Sequence, residues 1–161
     1  MPAAENSVRN QLIGTWELVS CTATNDEDPS DLVHTWTERA QGILIYSPDG
    51  YVSVMLQVPG ETPFTGDALG RPFIAYGGAY SVDEEDGNKP ILYHNMRHAS
   101  LLKWLGDTQR RVVEFFEQDG KKQMSLSPER SVVVDGISRR SKLTWRRAEP
   151  NYEKRPSSST S

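Results

Sequence analysis

An all-β chain, folded as an antiparallel barrel or sandwich, is what three features of this sequence predict. Short runs of alternating apolar and polar residues recur along it, clusters of Gly, Pro, Asn, Asp and Ser separate them, and stretches with a helical period are scarce. The length, 161 residues, suits one domain around one core and is too short for two independent cores with a linker.

The elements follow in order. A short helix is expected from about Ser7 to Ile13, with Ser7 as its cap and Val8, Leu12 and Ile13 as one apolar stripe, ending at Gly14. Strands are expected near Trp16 to Ala23, Leu32 to Trp36, Gly42 to Tyr46 and Tyr51 to Val58. The last two are joined by Ser47-Pro48-Asp49-Gly50, whose Pro at the second position and Gly at the fourth suit a type I turn. The Pro- and Gly-rich segment from Pro59 to Pro72 is too long and irregular for a tight hairpin and reads as a mobile loop or lid, with a short helix expected in its second half. Further strands are expected near Ala79 to Asp83, Ile91 to Ala99, Arg110 to Glu117, Gln123 to Leu126, Ser131 to Val134 and Arg140 to Arg147, which makes about ten, with sequential neighbours paired. The division is therefore an arm with a short helix over 1–11, a β domain over 12–148, and a tail over 149–161 whose Ser-rich end has too little apolar content to order itself.

Charge and composition narrow the partners. A net charge of −4 and a pI near 5.4 give no basic footprint for a phosphate backbone, so nucleic acid is not expected. Met1 to Asn6 has neither the basic start nor the apolar run of a secretory signal, and no apolar stretch approaches the length of a membrane span. The expectation is a soluble cytoplasmic protein, monomer or homodimer. Cys21 is the one cysteine, so no internal disulfide is possible, and with no adjacent base it reads as a small buried hydrophobe. Acids gather early (Glu17, Asp26, Asp31 among them) and bases late (Arg139, Arg140, Arg146, Arg147), which suits pairing between the first and last strands of a closed barrel.

Five motifs in order carry a resemblance. Leu12-Ile13-Gly14-Thr15-Trp16-Glu17-Leu18-Val19-Ser20 holds a Gly-x-Trp, and Gly42 to Ser53 forms the hairpin run. Ala75-Tyr76-Gly77-Gly78-Ala79-Tyr80-Ser81-Val82-Asp83 follows, then His94, Trp104, Gly106 and Arg111 at their spacing, and Leu143-Thr144-Trp145-Arg146-Arg147 closes the set. From about Leu12 to Arg147 the chain resembles the lipocalin-like domain family of bacteria and fungi, with Leu102 standing where that family often has Pro. The resemblance implies a lipocalin-like (calycin-type) antiparallel barrel of about 8–10 strands, with Trp16 plugging one end and Arg146 or Arg147 stacked on it. It also implies proteins of fungal biosynthetic clusters, some of them similar to polyketide cyclases, although fold alone does not dictate chemistry.

Chemistry is sought where imidazoles and cations fall among apolar residues. Alternation over Ile91 to Ala99 puts Leu92, His94, Met96 and His98 on one face, a candidate lining for a pocket with a polar centre. A metal is not expected there, because residues four apart in a strand lie roughly 13 Å from each other, and Asn95 stands where a zinc protease would need Glu. Arg111 shares a face with Val113 and Phe115. It can hold a carboxylate or a developing enolate oxygen, or simply pair with Glu114 or Asp107. On the hairpin strand, Val52, Val54, Leu56 and Val58 should face a dry core, leaving Tyr51, Ser53, Met55 and Gln57 for either a cavity or solvent.

The candidate catalytic residues are therefore His94, Arg111, Tyr46 and His98, and the candidate ligand contacts are Trp36, Tyr51, Met55, Tyr76, Met96, Trp104 and Phe115. No phosphate loop, dinucleotide fingerprint or nucleophile elbow is present, so no cofactor is expected. Three functions stay open. The first is a cofactor-independent cyclase or isomerase acting on a polyketide-like molecule, with His94 moving a proton and Arg111 and Tyr46 steadying enolate-like charge. The second is a barrel that binds or carries an apolar small molecule unaltered. The third is a scaffold whose charged ends meet a partner enzyme.

Overall fold

The structure is a computed structural model that describes residues 7–35, 38–58, 73–84 and 89–152. A helix α1 (Val8–Leu12) leads into eleven strands: β1 (Gly14–Asn25), β2 (Leu32–His34), β3 (Gln41–Tyr46), β4 (Tyr51–Gln57), β5 (Phe73–Asp83), β6 (Ile91–Asn95), β7 (His98–Ala99), β8 (Thr108–Gln118), β9 (Lys121–Ser127), β10 (Val132–Val134) and β11 (Ile137–Arg147). Eight of them close a barrel in the order β1, β3, β4, β5, β6, β8, β9, β11 and back to β1, with every pairing antiparallel. The short strands β2 and β10 extend the far ends of β1 and β11, and β7 adds to β5. The expected all-β, lipocalin-like barrel with a short N-terminal helix is what forms. The segment expected as a lid, Pro59 to Pro72, lies outside the described residues, as does Trp36.

One end is closed by side chains. Ser7 caps α1 by accepting from the Asn10 N–H at 3.1 Å, and Val8 and Leu12 turn inward onto the core. Fully buried Trp16 donates its indole N–H to the Leu12 carbonyl at 2.8 Å. The Arg147 guanidinium lies 4.0 Å over the Trp16 ring and donates to the carbonyls of Ile13 and Gln11 at 2.7 and 2.5 Å. Between the two expected cations, Arg147 is thus the plug's partner, whereas Arg146 faces out to Glu17 at 3.3 Å. Gly14, at φ +123°, makes this possible: a Cβ there would lie 2.4 Å from an Arg147 nitrogen. The charge asymmetry resolves along the same β1–β11 seam, where Arg139 also pairs with Asp31 at 2.8 Å.

Two strand expectations need correction. The chain re-enters the sheet at Phe73, well before Ala79, because β5 pairs with β4 along its whole length, from Gln57 opposite Phe73 to Tyr51 opposite Ala79. Gly77 and Gly78, which a strand starting at Ala79 leaves outside, therefore sit inside it. The second correction concerns Ile91 to Ala99, which is two strands rather than one. Tyr80 faces His94, but Gly77 faces His98, so four steps on one strand oppose three on the other and a bulge intervenes at Met96–Arg97. A one-residue slip reverses the face of everything beyond it, and His98 turns outward, exposed. Gly78 admits the bulge, since a Cβ there would sit 2.0 Å from the Asn95 carbonyl oxygen.

Gly78→Ala is therefore expected to destabilise the barrel by about 2 kcal/mol or more, as strain and overpacking at a tight backbone contact do. Urea unfolding measures it. A loss under about 0.5 kcal/mol, the ordinary range for surface changes, would mean the bulge does not need this glycine.

Candidate functional site

Above the plugged end the barrel keeps an internal cavity of about 210 Å³. Alternation on each strand decides its walls. β11 contributes Leu143 and, as the floor, Trp145. β8 contributes Gln109 and Arg111, β5 contributes Ile74 and Tyr76, and β6 contributes His94. Trp104, carried on a single 3-10 turn (Leu102–Trp104) between β7 and β8, meets the Tyr76 ring edge-on at 5.9 Å near the open mouth. A larger groove of about 500 Å³ runs between β2 and β10 and shares Thr35 with this cavity. Its polar side chains include exposed His34 and Asp135 and an Arg139 already paired with Asp31, whereas the inner chamber gathers His94, Tyr76 and Arg111 among apolar walls, so the inner chamber is the candidate site.

His94 is the centre of that polarity and is 1% exposed. Its Nε2 lies 2.8 Å from the Tyr46 hydroxyl and its Nδ1 lies 3.5 Å from the Tyr76 hydroxyl, so each ring nitrogen faces a tyrosine. Tyr46 in turn packs edge-on against Tyr80 with ring centres 4.9 Å apart. Arg111 reaches the Gln109 amide oxygen at 2.6 Å and the Arg110 carbonyl at 2.8 Å, and among the described residues it meets no carboxylate. Glu114, one of its expected partners, pairs with Lys89 instead.

Burial sets the proton states. Desolvation, with the Arg111 charge adding to it, pushes His94 down to about 3, so the imidazole is neutral at any physiological pH. Burial raises Tyr76 to about 12 against the pull of Arg111, and it raises Tyr46 well above the usual range. Both remain phenols. Burial lowers Arg111 from its ordinary value, and the thiol of Cys21, also on the wall, is pushed up to about 11. Cys21 is the inert buried hydrophobe its neighbours implied.

Of the residues singled out in the sequence, Tyr46, Tyr76, His94, Trp104 and Arg111 converge here. The others do not. His98 is displaced to the outer surface by the bulge. Tyr51 and Met55 point out of the barrel at 48% and 46% exposed, because the aliphatic face of β4 takes the interior. Phe115 does face inward, but at the plugged end, 6.3 Å from Trp16. Met96 is fully buried outside the cavity wall, in the turn where its N–H donates to the Asp107 carbonyl and its carbonyl accepts from Gly106. Gln109 and Trp145 were missed, although alternation from Arg111 and from Leu143 marks both as inward. The indole N–H of Trp145 is buried with no partner among the described residues.

A closed antiparallel barrel with one plugged end and one polar-centred chamber is the architecture of a lipocalin-like binding domain. The chain matches the lipocalin-like domain family over residues 13–148 and belongs to it. It is also similar to the 4'-hydroxy-3'-methoxypropiophenone carrier protein ppsC of Aspergillus oryzae, with 32% identity over 81 residues, covering 48% of this chain and 68% of that protein.

The depressed His94 has a signed consequence for stability. Above its ordinary value of 6.5 the ring is neutral in both folded and unfolded chains and contributes no pH dependence. Below 6.5 the unfolded chain gains a proton that the folded chain refuses until about 3, so stability is lost as pH falls, by about 1.4 kcal/mol per unit. Urea unfolding between pH 6.5 and 5, above the range where carboxylates dominate, is expected to show this slope. In His94→Gln the slope should be reduced, and a slope unchanged by that substitution would place the effect elsewhere.

Proposed function

We propose that this protein binds and carries a small, flat, largely apolar metabolite of secondary metabolism and releases it unaltered. The observation that carries the reading is the proton state of the chamber. Efficient acid–base catalysis wants a group whose pKa lies near the working pH, whereas here His94 is held at about 3 and Tyr76 at about 12. A cyclase or isomerase that relied on His94 to move a proton would be using a weak base in a site that resists its charging. The same groups serve binding well, since neutral hydroxyls and a guanidinium fix orientation while Leu, Ile and Trp side chains supply contact.

Size agrees with a single ring. An apolar cavity of about 150 Å³ takes benzene, and about 210 Å³ leaves room for a short substituent. The similarity to a carrier of an aryl ketone points the same way, toward a phenolic or aryl ketone ligand. The free buried thiol of Cys21 suits the reducing cytoplasm.

The test is to incubate the pure protein with 4'-hydroxy-3'-methoxypropiophenone, isolate the complex by gel filtration and identify the extracted compound by mass spectrometry. Recovery of the unaltered ketone at near-stoichiometric amount is expected. An isomeric or dehydrated product that depends on folded protein would establish catalysis instead, and no retention would remove this ligand class.

A further inference from the structure

We propose that the ligand is held as an oxyanion with Arg111 as its counter-ion, the ligand class being a small apolar ring that bears one acidic oxygen, either a carboxylate or an ionised phenol. This rests on the binding reading above and goes past it in naming the charge. Arg111 lines the chamber, and among the described residues its bonds go only to a neutral amide oxygen and a backbone carbonyl. Burying a cation without an anion is costly, and folded proteins meet the cost by pairing it. Other cations of the described residues are paired: Lys89 with Glu114, Arg110 with Glu129, Lys121 with Glu149, Arg139 with Asp31 and Arg146 with Glu17. Arg139 also lines a groove, but with its carboxylate beside it, whereas Arg111 lines the inner chamber with no carboxylate among the described residues.

A second observation is independent of the first. Trp145, which lines the same chamber, carries a buried indole N–H with no acceptor among the described residues, and a buried donor of that kind is a rarity that calls for explanation. Two donors on one small chamber, one of them charged, ask for an acceptor with negative charge. No protein group supplies it among the described residues. Besides Arg111, the titratable groups on the chamber walls are His94, Tyr76 and Cys21, with Tyr46 behind His94, and all four are neutral near pH 7. The Tyr76 hydroxyl can donate to the same oxygen, and the apolar walls of Ile74, Leu126 and Leu143 accept the ring.

Two matched pairs test the charge. They are 4-methoxybenzoate against 4-methoxybenzamide, and 4'-hydroxy-3'-methoxypropiophenone against its 4'-O-methyl ether, each titrated at pH 8.5 with the fluorescence of Trp104 and Trp145 as readout. In at least one pair the ionisable member should bind about tenfold or more tightly than its neutral mate, the scale of a charge-assisted hydrogen bond. That preference should vanish in Arg111→Gln, the ionised member losing more affinity than its neutral mate, and persist at least in part in Arg111→Lys. The benzoate pair and the phenol pair separate the two sources of the anion. Neutral members that bind as tightly as their mates in both pairs, or a preference that survives Arg111→Gln, overturn the counter-ion and leave the carrier standing. If Arg111→Gln does not fold, the wild-type pairs and Arg111→Lys decide. No binding by any of the four compounds removes both readings.

Discussion

The seam between β1 and β11 is the contact on which the rest of this structure depends. Closing it turns an open sheet into a barrel, and the closure is held at its end by Arg147, which lies over Trp16 and binds the last carbonyls of the helix. The helix end is tied down by the Trp16 indole as well. Three parts that would otherwise fray, namely the arm, the first strand and the last strand, are thereby made one. The register shift between Leu18 and Ser20 on β1 matters for the same reason. It lets Trp16 face the plug while Cys21 and Ala23 still face inward farther up.

Closure makes the interior dry, and dryness fixes its chemistry. A half-open sheet would let water reach His94, and the ring would titrate near its ordinary value. In the closed barrel it is walled by tyrosines and shares its space with a guanidinium, so both burial and charge hold it neutral. The chamber then contains hydrogen-bonding groups that do not change protonation across the physiological range and one cation that does not lose its charge. Such a site discriminates by shape and by one electrostatic preference. Its proton states stay constant with pH, as the proposed carrier role requires.

Local signals in the sequence reached far into this fold. Ser47-Pro48-Asp49-Gly50 defined its hairpin, with the Gly50 N–H donating to the Ser47 carbonyl at 3.2 Å, and the aliphatic stripe of β4 faced the core. The alternation of Arg111, Val113 and Phe115 matches the inner face of β8, and two residues singled out in the sequence, His94 and Tyr46, lie in hydrogen-bond contact. What could not be read locally was decided by another strand. The start of β5 six residues before Ala79 follows from its pairing with β4, and the need for Gly78 appears only where the Asn95 carbonyl occupies the space of its Cβ. The same bulge carries His98 to the outside, and nothing between His94 and His98 announces an extra residue. Trp145 reads as one more barrel-closing aromatic, and its unpartnered N–H emerges only from three-dimensional packing. Tyr51 and Met55 were ambiguous because periodicity separates two faces without telling which one is wet.

The account turns on the neutrality of His94, and a nuclear magnetic resonance titration of its ring nitrogens in the ligand-free protein tests that most directly. The account predicts a single neutral tautomer that holds unchanged from pH 8 down to about pH 4, with no inflection near 6.5, in keeping with a folded value of about 3. An inflection between about 6 and 7, where an unperturbed histidine titrates, would contradict it. The chamber would then be wet and chargeable, and proton transfer by His94 would again be the better description of what this barrel does.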